Sequence, residues 1–172
     1  SGLRLMQTLR IGEVLQQSLT TEHTGDAKAT FTQALHSYFK VGDANRVHVT
    51  GLHGLRYADK YDGGEHVQAG DWTLHDPRDS GRSDRIYHAT GGRFELHDPI
   101  LQRRISLHTT GSRSLVVWNP GESGIAAIAD APADAWCDFV CLEAANAGED
   151  VIELGPGQRH TLQQTLRVSP LA

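Results

Sequence analysis

Apolar and polar residues alternate with a period of two along most of this chain, and turns containing glycine break the alternation into short runs. Residues 4–11, 13–20, 46–49, 104–107, 114–118 and 165–168 follow the pattern. Successive side chains of a strand point to opposite faces, so each run predicts a strand with one face on a core. The breaks fall at Thr24-Gly25-Asp26, Val41-Gly42-Asp43, Asp62-Gly63-Gly64, Thr90-Gly91-Gly92, Thr110-Gly111-Ser112 and Asn119-Pro120-Gly121. Short strands punctuated this regularly predict an all-β fold, an antiparallel β-sandwich. No stretch holds a 3.6-residue period; residues 126–135 are rich in alanine, but Pro132 interrupts them. There is no linker, repeat or low-complexity tract, so residues 1–172 read as one domain.

Two more strand-like runs carry chemistry. The first, residues 31–41, contains Ala34-Leu35-His36-Ser37-Tyr38-Phe39. On one strand His36, Tyr38 and Lys40 share a face, and Leu35, Ser37 and Phe39 share the other. A face of imidazole, phenol and amine is either a site or plain solvent exposure. The second run, residues 138–144, ends its apolar stretch on a carboxylate, with Cys137, Phe139, Cys141 and Glu143 to one side. Behind Phe139 and Cys141, desolvation would raise the pKa of Glu143 toward the range of a general base at neutral pH. The competing reading is that Glu143 marks the strand's exit into a polar loop.

A third candidate, Asp84, follows the loop Asp76-Pro77-Arg78-Asp79-Ser80-Gly81 and is suited to accepting hydrogen bonds from sugar hydroxyls. It is equally suited to capping a turn or pairing with Arg82 or Arg85. Trp118-Asn119-Pro120-Gly121 has the chemistry of a turn, which is the favoured reading. Its alternative role is to offer a sugar an apolar face from Trp118 and an amide from Asn119.

Composition narrows the function classes. A net charge of −5 and a pI near 6.0 leave no electrostatic footprint for nucleic acid, and Arg103-Arg104 is an isolated basic pair. No run of ~18 apolar residues spans a membrane, and the first residues lack a signal-peptide layout. An apolar content of 38% suffices for a core at this length. Cys137 and Cys141, four apart on one expected strand, would lie roughly 13 Å apart, too far for a disulfide. Reduced cysteines suit the cytoplasm. The ten histidines form no His-x-x-x-His pattern and the cysteines no Cys-x-x-Cys, so no metal is expected.

Six segments, taken in order, resemble the hexose-6-phosphate mutarotases of the aldose 1-epimerase family. They are Leu9-Arg10-Ile11-Gly12, residues 34–43, Tyr57-Ala58-Asp59-Lys60, Ser83-Asp84-Arg85-Ile86-Tyr87, Val117-Trp118-Asn119-Pro120-Gly121 and Phe139-Val140-Cys141-Leu142-Glu143. The resemblance implies a large antiparallel sandwich of the galactose mutarotase-like type. It implies general acid/base interconversion of the α and β anomers of a hexose 6-phosphate, with no cofactor. His36 matches the family's general acid, Glu143 its general base and Asp84 a substrate-binding aspartate. A sugar ring between His36 and Glu143 implies a gap with no direct hydrogen bond.

The match is to the later part of such proteins only. The family's further N-terminal strands, with a His-Gly-Phe-Ala-Arg type motif and phosphate-binding arginines, have no counterpart, so an N-terminally incomplete version of the sandwich is expected. Open sheet edges would then favour self-association. The alternatives are a non-catalytic carbohydrate-binding sandwich, a mutarotase of free aldoses, and a purely structural sandwich.

Overall fold

The computed structural model describes residues 2–75, 81–88 and 91–171. Its strands are β1 (Leu3–Ile11), β2 (Leu15–His23), β3 (Ala29–Phe31), β4 (Gln33–Leu35), β5 (Tyr38–Lys40), β6 (His48–Thr50), β7 (Arg56–Asp59) and β8 (Glu65–Val67). The rest are β9 (Ser83–His88), β10 (Gly92–Asp98), β11 (Arg103–Thr110), β12 (Ser114–Asn119), β13 (Phe139–Asn146), β14 (Ile152–Leu154) and β15 (Arg159–Pro170). A short helix, α1 (Gly121–Ile125), and a 3₁₀ turn (Ala135–Asp138) link β12 to β13. Most of the loop before Asp84, residues 76–80, lies outside the described residues, as does Thr90.

Two antiparallel sheets make the sandwich. One has the order β1-β2-β15-β11-β10-β6; the other runs β4-β13-β12-β9-β7-β8, with β5 also on β13. The expected all-β sandwich is the observed fold. Alternation explains it locally: on β10, Phe94, Leu96 and Asp98 are buried, while the residues between them are only partly so. Tyr57, Tyr87, Leu115, Val117, Val140 and Leu142 from the second sheet pack on Val49, Phe94, Leu96, Ile105 and Leu107 from the first. Each such side chain contributes about 1.5–3 kcal/mol by leaving water.

A buried ion pair sits against this core: Arg85 Nε lies 4.0 Å from Asp59 Oδ2. Arg85 donates from Nη1 to Gln68 Oε1 at 2.7 Å, and its guanidinium lies 4.5 Å from the centre of the Tyr57 ring. A buried cation is tolerated only with partners of this kind. Arg85 therefore belongs to the core face of β9, opposite the face that carries Asp84.

Several local expectations are corrected. The run 31–41 is three short strands, and His36 and Ser37 fall in the break between β4 and β5. There Ser37 donates its N–H back to Leu35 O, and its hydroxyl accepts from Gln164 Nε2 of the opposite sheet. Cys137 lies in the 3₁₀ turn and only Cys141 in β13; both are free thiols. Trp118 and Asn119 end β12 rather than forming a turn, and the chain leaves the strand through Pro120 into α1 at Gly121. Gly121 has φ +64°, and a Cβ there would meet Gly81 O at 2.4 Å, so both conformation and space require glycine.

Candidate active site

The outer face of the seven-stranded sheet, away from the core, gathers the polar groups. Register sets their order. Trp118 stands opposite Cys141 on one side and Asp84 on the other, and Val116 opposite Glu143 and Ile86. Tyr38 pairs with Cys141, so one row reads Tyr38, Cys141, Trp118, Asp84, and the next reads Glu143, Val116, Ile86. Lys60, just past β7, extends the first row by donating its N–H to Asp84 O at 2.9 Å.

His36 joins the second row by the same logic. Leu35 pairs with Ala144 and Tyr38 with Cys141, an unbroken register on both sides of the gap. That register leaves His36 facing Glu143, although the ladder itself lapses there. Directly opposed side chains have Cβ atoms roughly 4.5–5.5 Å apart, within reach of contact. His36 Nδ1 and Glu143 Oε1 are 3.2 Å apart, forming an ion pair when the imidazole is protonated. The gap expected between the two groups is therefore absent; cross-strand opposition brings them together.

Their environments differ sharply. The Glu143 side chain is 6% exposed, that of His36 51%. The imidazole stacks on the Tyr38 ring (centroids 5.0 Å apart, planes at 11°) and meets Trp118 edge-on at 5.9 Å. Phe139 packs on Tyr38 and Trp118 and completes an aromatic wall.

A cleft of about 260 Å³ opens on this face, bounded by His36, Lys60, Asp84, Trp118 and Glu143 over a floor that includes Ile86 and Val116. Its size suits one sugar ring rather than an extended ligand. A larger cleft of about 420 Å³, beside the β1–β2 turn, includes Lys40 and Arg103. It offers no buried carboxylate facing a histidine, so chemistry rather than volume selects the smaller one.

Charge and burial tune the carboxylates. Burial pushes Glu143 up to about 7; the nearby Asp84 carboxylate adds to the rise and Lys60 opposes it. Burial also raises Asp84, against the pull of Lys60. The Cys141 thiol, wholly buried between Tyr38 and Trp118 in the row, is pushed far up by the same cause. A carboxyl poised near neutrality beside an imidazole is equipped to exchange protons with a ligand at neutral pH.

Of the residues singled out in the sequence, His36, Glu143, Asp84 and Trp118 meet at the cleft. Asn119 does not. It points to the other side of β12, is fully buried, donates from Nδ2 to Trp136 O and Phe139 O, and accepts from Gly121 N–H at Oδ1. Its amide is consumed in fastening the 3₁₀ turn and the start of β13 to β12. Lys60 lies in one of the segments that carry the resemblance, and the structure adds it to the cleft. A lysine just after a short strand gives no local sign of the wall it joins.

A family model described as aldose 1-epimerase matches residues 2–167. An Escherichia coli K12 protein named "Putative glucose-6-phosphate 1-epimerase" is 34% identical over 167 residues, covering 96% of this chain and 53% of that protein. A Salmonella typhimurium protein of the same name is 35% identical over 140 residues, 80% of this chain and 45% of its own length. The crystal structure of a "putative mutarotase" from Salmonella typhimurium superposes with a TM-score of 0.83 at 31% identity, covering 98% of this chain and 54% of that one. The chain spans about half the length of the curated relatives it matches. Sequence, fold and the composition of the cleft agree: the chain belongs to the aldose 1-epimerase family.

Proposed function

We propose that this protein interconverts the α and β anomers of a hexose 6-phosphate by general acid/base catalysis. The observation that carries the proposal is the His36–Glu143 pair, opposed across β13 at the edge of a sugar-sized cleft, with the carboxyl raised to about 7. Glu143 as carboxylate takes the proton from the anomeric hydroxyl. His36 as imidazolium gives its proton to the ring oxygen O5. The O1–H electrons form the C1=O1 carbonyl as the C1–O5 bond breaks. Rotation about C1–C2 presents the other carbonyl face, and the reverse transfers close the ring as the other anomer. Acid and base are both restored.

The remaining walls position the sugar. Asp84 and Lys60 offer an acceptor and a cationic donor to hydroxyls, and Trp118 offers an apolar surface. The names of the relatives support a phosphorylated hexose over a free one. Saturation-transfer NMR tests the proposal by comparing anomer exchange of glucose 6-phosphate and glucose with and without protein. Accelerated exchange for the phosphate ester is expected. Binding without exchange would identify a carbohydrate-binding sandwich instead, and equal acceleration of glucose a mutarotase of free aldoses.

The proton inventory predicts a pH profile. Only ionised Glu143 accepts the proton, so kcat/KM should fall as pH drops through about 7. A rate flat between pH 5 and 8 would remove Glu143 from the base role.

The stacked ring beneath His36 gives another expectation. Tyr38→Ala removes a stack worth about 0.5–1.5 kcal/mol and should lower kcat by roughly 3- to 10-fold, while Tyr38→Phe keeps the ring and the rate. Equal loss in both variants would point to the hydroxyl instead.

The overhanging β1 also bears on behaviour in solution. Leu5, Leu9 and Ile11 share one of its faces and are 54–84% exposed. On the outer edge of β1 no partner strand is found among the described residues. Such an edge favours pairing with another molecule, so light scattering should show mass above the monomer that rises with concentration. A monomer at all concentrations would count against it.

A further inference from the structure

Cys141 is a metal-ligating side chain on the row beside this site that the proposed function does not use. Its sulfur, His36 Nδ1 or Nε2 and a Glu143 oxygen all lie within 4.8 Å of one another. Among the described residues this is the one such cluster of histidine, cysteine and carboxylate groups. We propose that His36, Cys141 and Glu143 form a binding site for a thiophilic divalent cation such as Zn²⁺, and that its occupation blocks the acid/base pair.

The backbone prepares the arrangement. Cys141 and Glu143 are two apart on β13, so their side chains leave the same face, and His36 descends from the strand position opposite Glu143. Zinc holds sulfur at about 2.3 Å and nitrogen or oxygen at about 2.0–2.2 Å, so neighbouring donors on a tetrahedral ion stand about 3.3–3.8 Å apart. The His36–Glu143 contact at 3.2 Å is already near that spacing. The sulfur stands within 4.8 Å of both other donors, so binding draws the three side chains together. One nitrogen, one sulfur and one oxygen is a donor set for zinc rather than for magnesium or calcium, which take oxygen. Three protein ligands leave the fourth position to water or ligand in the cleft. Asp84 adds negative charge nearby and Lys60 offsets part of it.

The consequence follows from the donors. An imidazole nitrogen and a carboxylate oxygen engaged by an ion no longer move protons, so zinc should inhibit, reversibly on chelation. Binding itself does not depend on the proposed catalysis, whereas inhibition does.

Two measurements separate these halves. Titration of Zn²⁺ against a chromophoric chelator should show one site per chain, weakened by roughly 10- to 100-fold in both Cys141→Ala and Cys141→Ser but not in Cys137→Ser. Substitution with Co²⁺ should give a thiolate-to-cobalt absorption band that disappears in the Cys141 variants. The band excludes the chain's other histidines as the source of the signal. Zinc should also suppress anomer exchange of glucose 6-phosphate in the wild type, and in each Cys141 variant the same suppression should need roughly 10- to 100-fold more zinc. Unchanged zinc affinity in both Cys141 variants, or a cobalt complex without the thiolate band, would overturn the site. An intact site in a protein that shows no exchange without metal would uphold the site and overturn the catalytic proposal alone.

Discussion

Replacing Glu143 with glutamine should lower the rate of anomer exchange by about 10²-fold or more, because it keeps the shape and removes the base. His36→Asn should cost a similar factor by removing the acid. Both are read by saturation-transfer NMR, and wild-type rates in the two variants would refute the assigned roles. The same Glu143→Gln change should have an opposite, pH-dependent effect on stability. Glu143 stays protonated in the folded chain up to about 7 but ionises near its ordinary value of 4.5 when unfolded. Between those values the folded state binds more protons, so stability falls as pH rises. At ~1.4 kcal/mol per pH unit the full cost approaches about 3 kcal/mol above pH 7. Glutamine carries no such cost. Chemical denaturation at pH 4 and pH 8 should therefore show the variant gaining on the wild type at the higher pH. A constant difference would mean that the carboxyl is not raised. Loss of rate with gain of stability is the behaviour of a group held for its reactivity rather than for the fold.

The second large effect concerns Asn119, for which the sequence offers a sugar contact only as the alternative to a turn and which the structure buries away from the cleft. Asn119→Ala removes two donated bonds and one accepted bond from a fully buried position. Leaving Trp136 O, Phe139 O and the Gly121 N–H without this partner should destabilise the chain by about 3–5 kcal/mol, since each buried group left unsatisfied costs ~1–3 kcal/mol. Asn119→Asp keeps the acceptor but turns a carboxylate oxygen on the two carbonyls, so it should be at least as destabilising as alanine. Denaturant midpoints decide the matter. A loss below about 1 kcal/mol would show that Asn119 is not the clamp between the 3₁₀ turn and β12. Any effect on catalysis should follow from displacement of Phe139, which Asn119 anchors and which packs on Tyr38 and Trp118.

The legible parts of the site were those with a local signature. Glu143 at the end of Phe139-Val140-Cys141-Leu142 announced a carboxylate on an apolar face, and burial is what raises it. His36 and Tyr38 could be placed on one face because the alternation of burial survives the break at His36-Ser37; Leu35 and Phe39 are buried, and His36 and Tyr38 exposed. Trp118 and Asn119 are equally plausible ligand groups by residue type, and only the strand they share separates them. One position along a strand sends them to opposite faces of the sheet. β7 and β8, of four and three residues, were too short for a period of two to register.

The class of fold, the period of its strands and the residue types able to move protons are legible in the chain, because they follow from side chains within a few positions of one another. That His36 opposes Glu143, that Asp84 and Lys60 close the far wall, and that Cys141 joins them emerged with the folded sheet. Those contacts depend on the pairing of β4, β5, β12 and β9 around β13, between residues as far apart as 36 and 143. Strand register across such distances is set by the packing of the whole sandwich, and no short segment carries it.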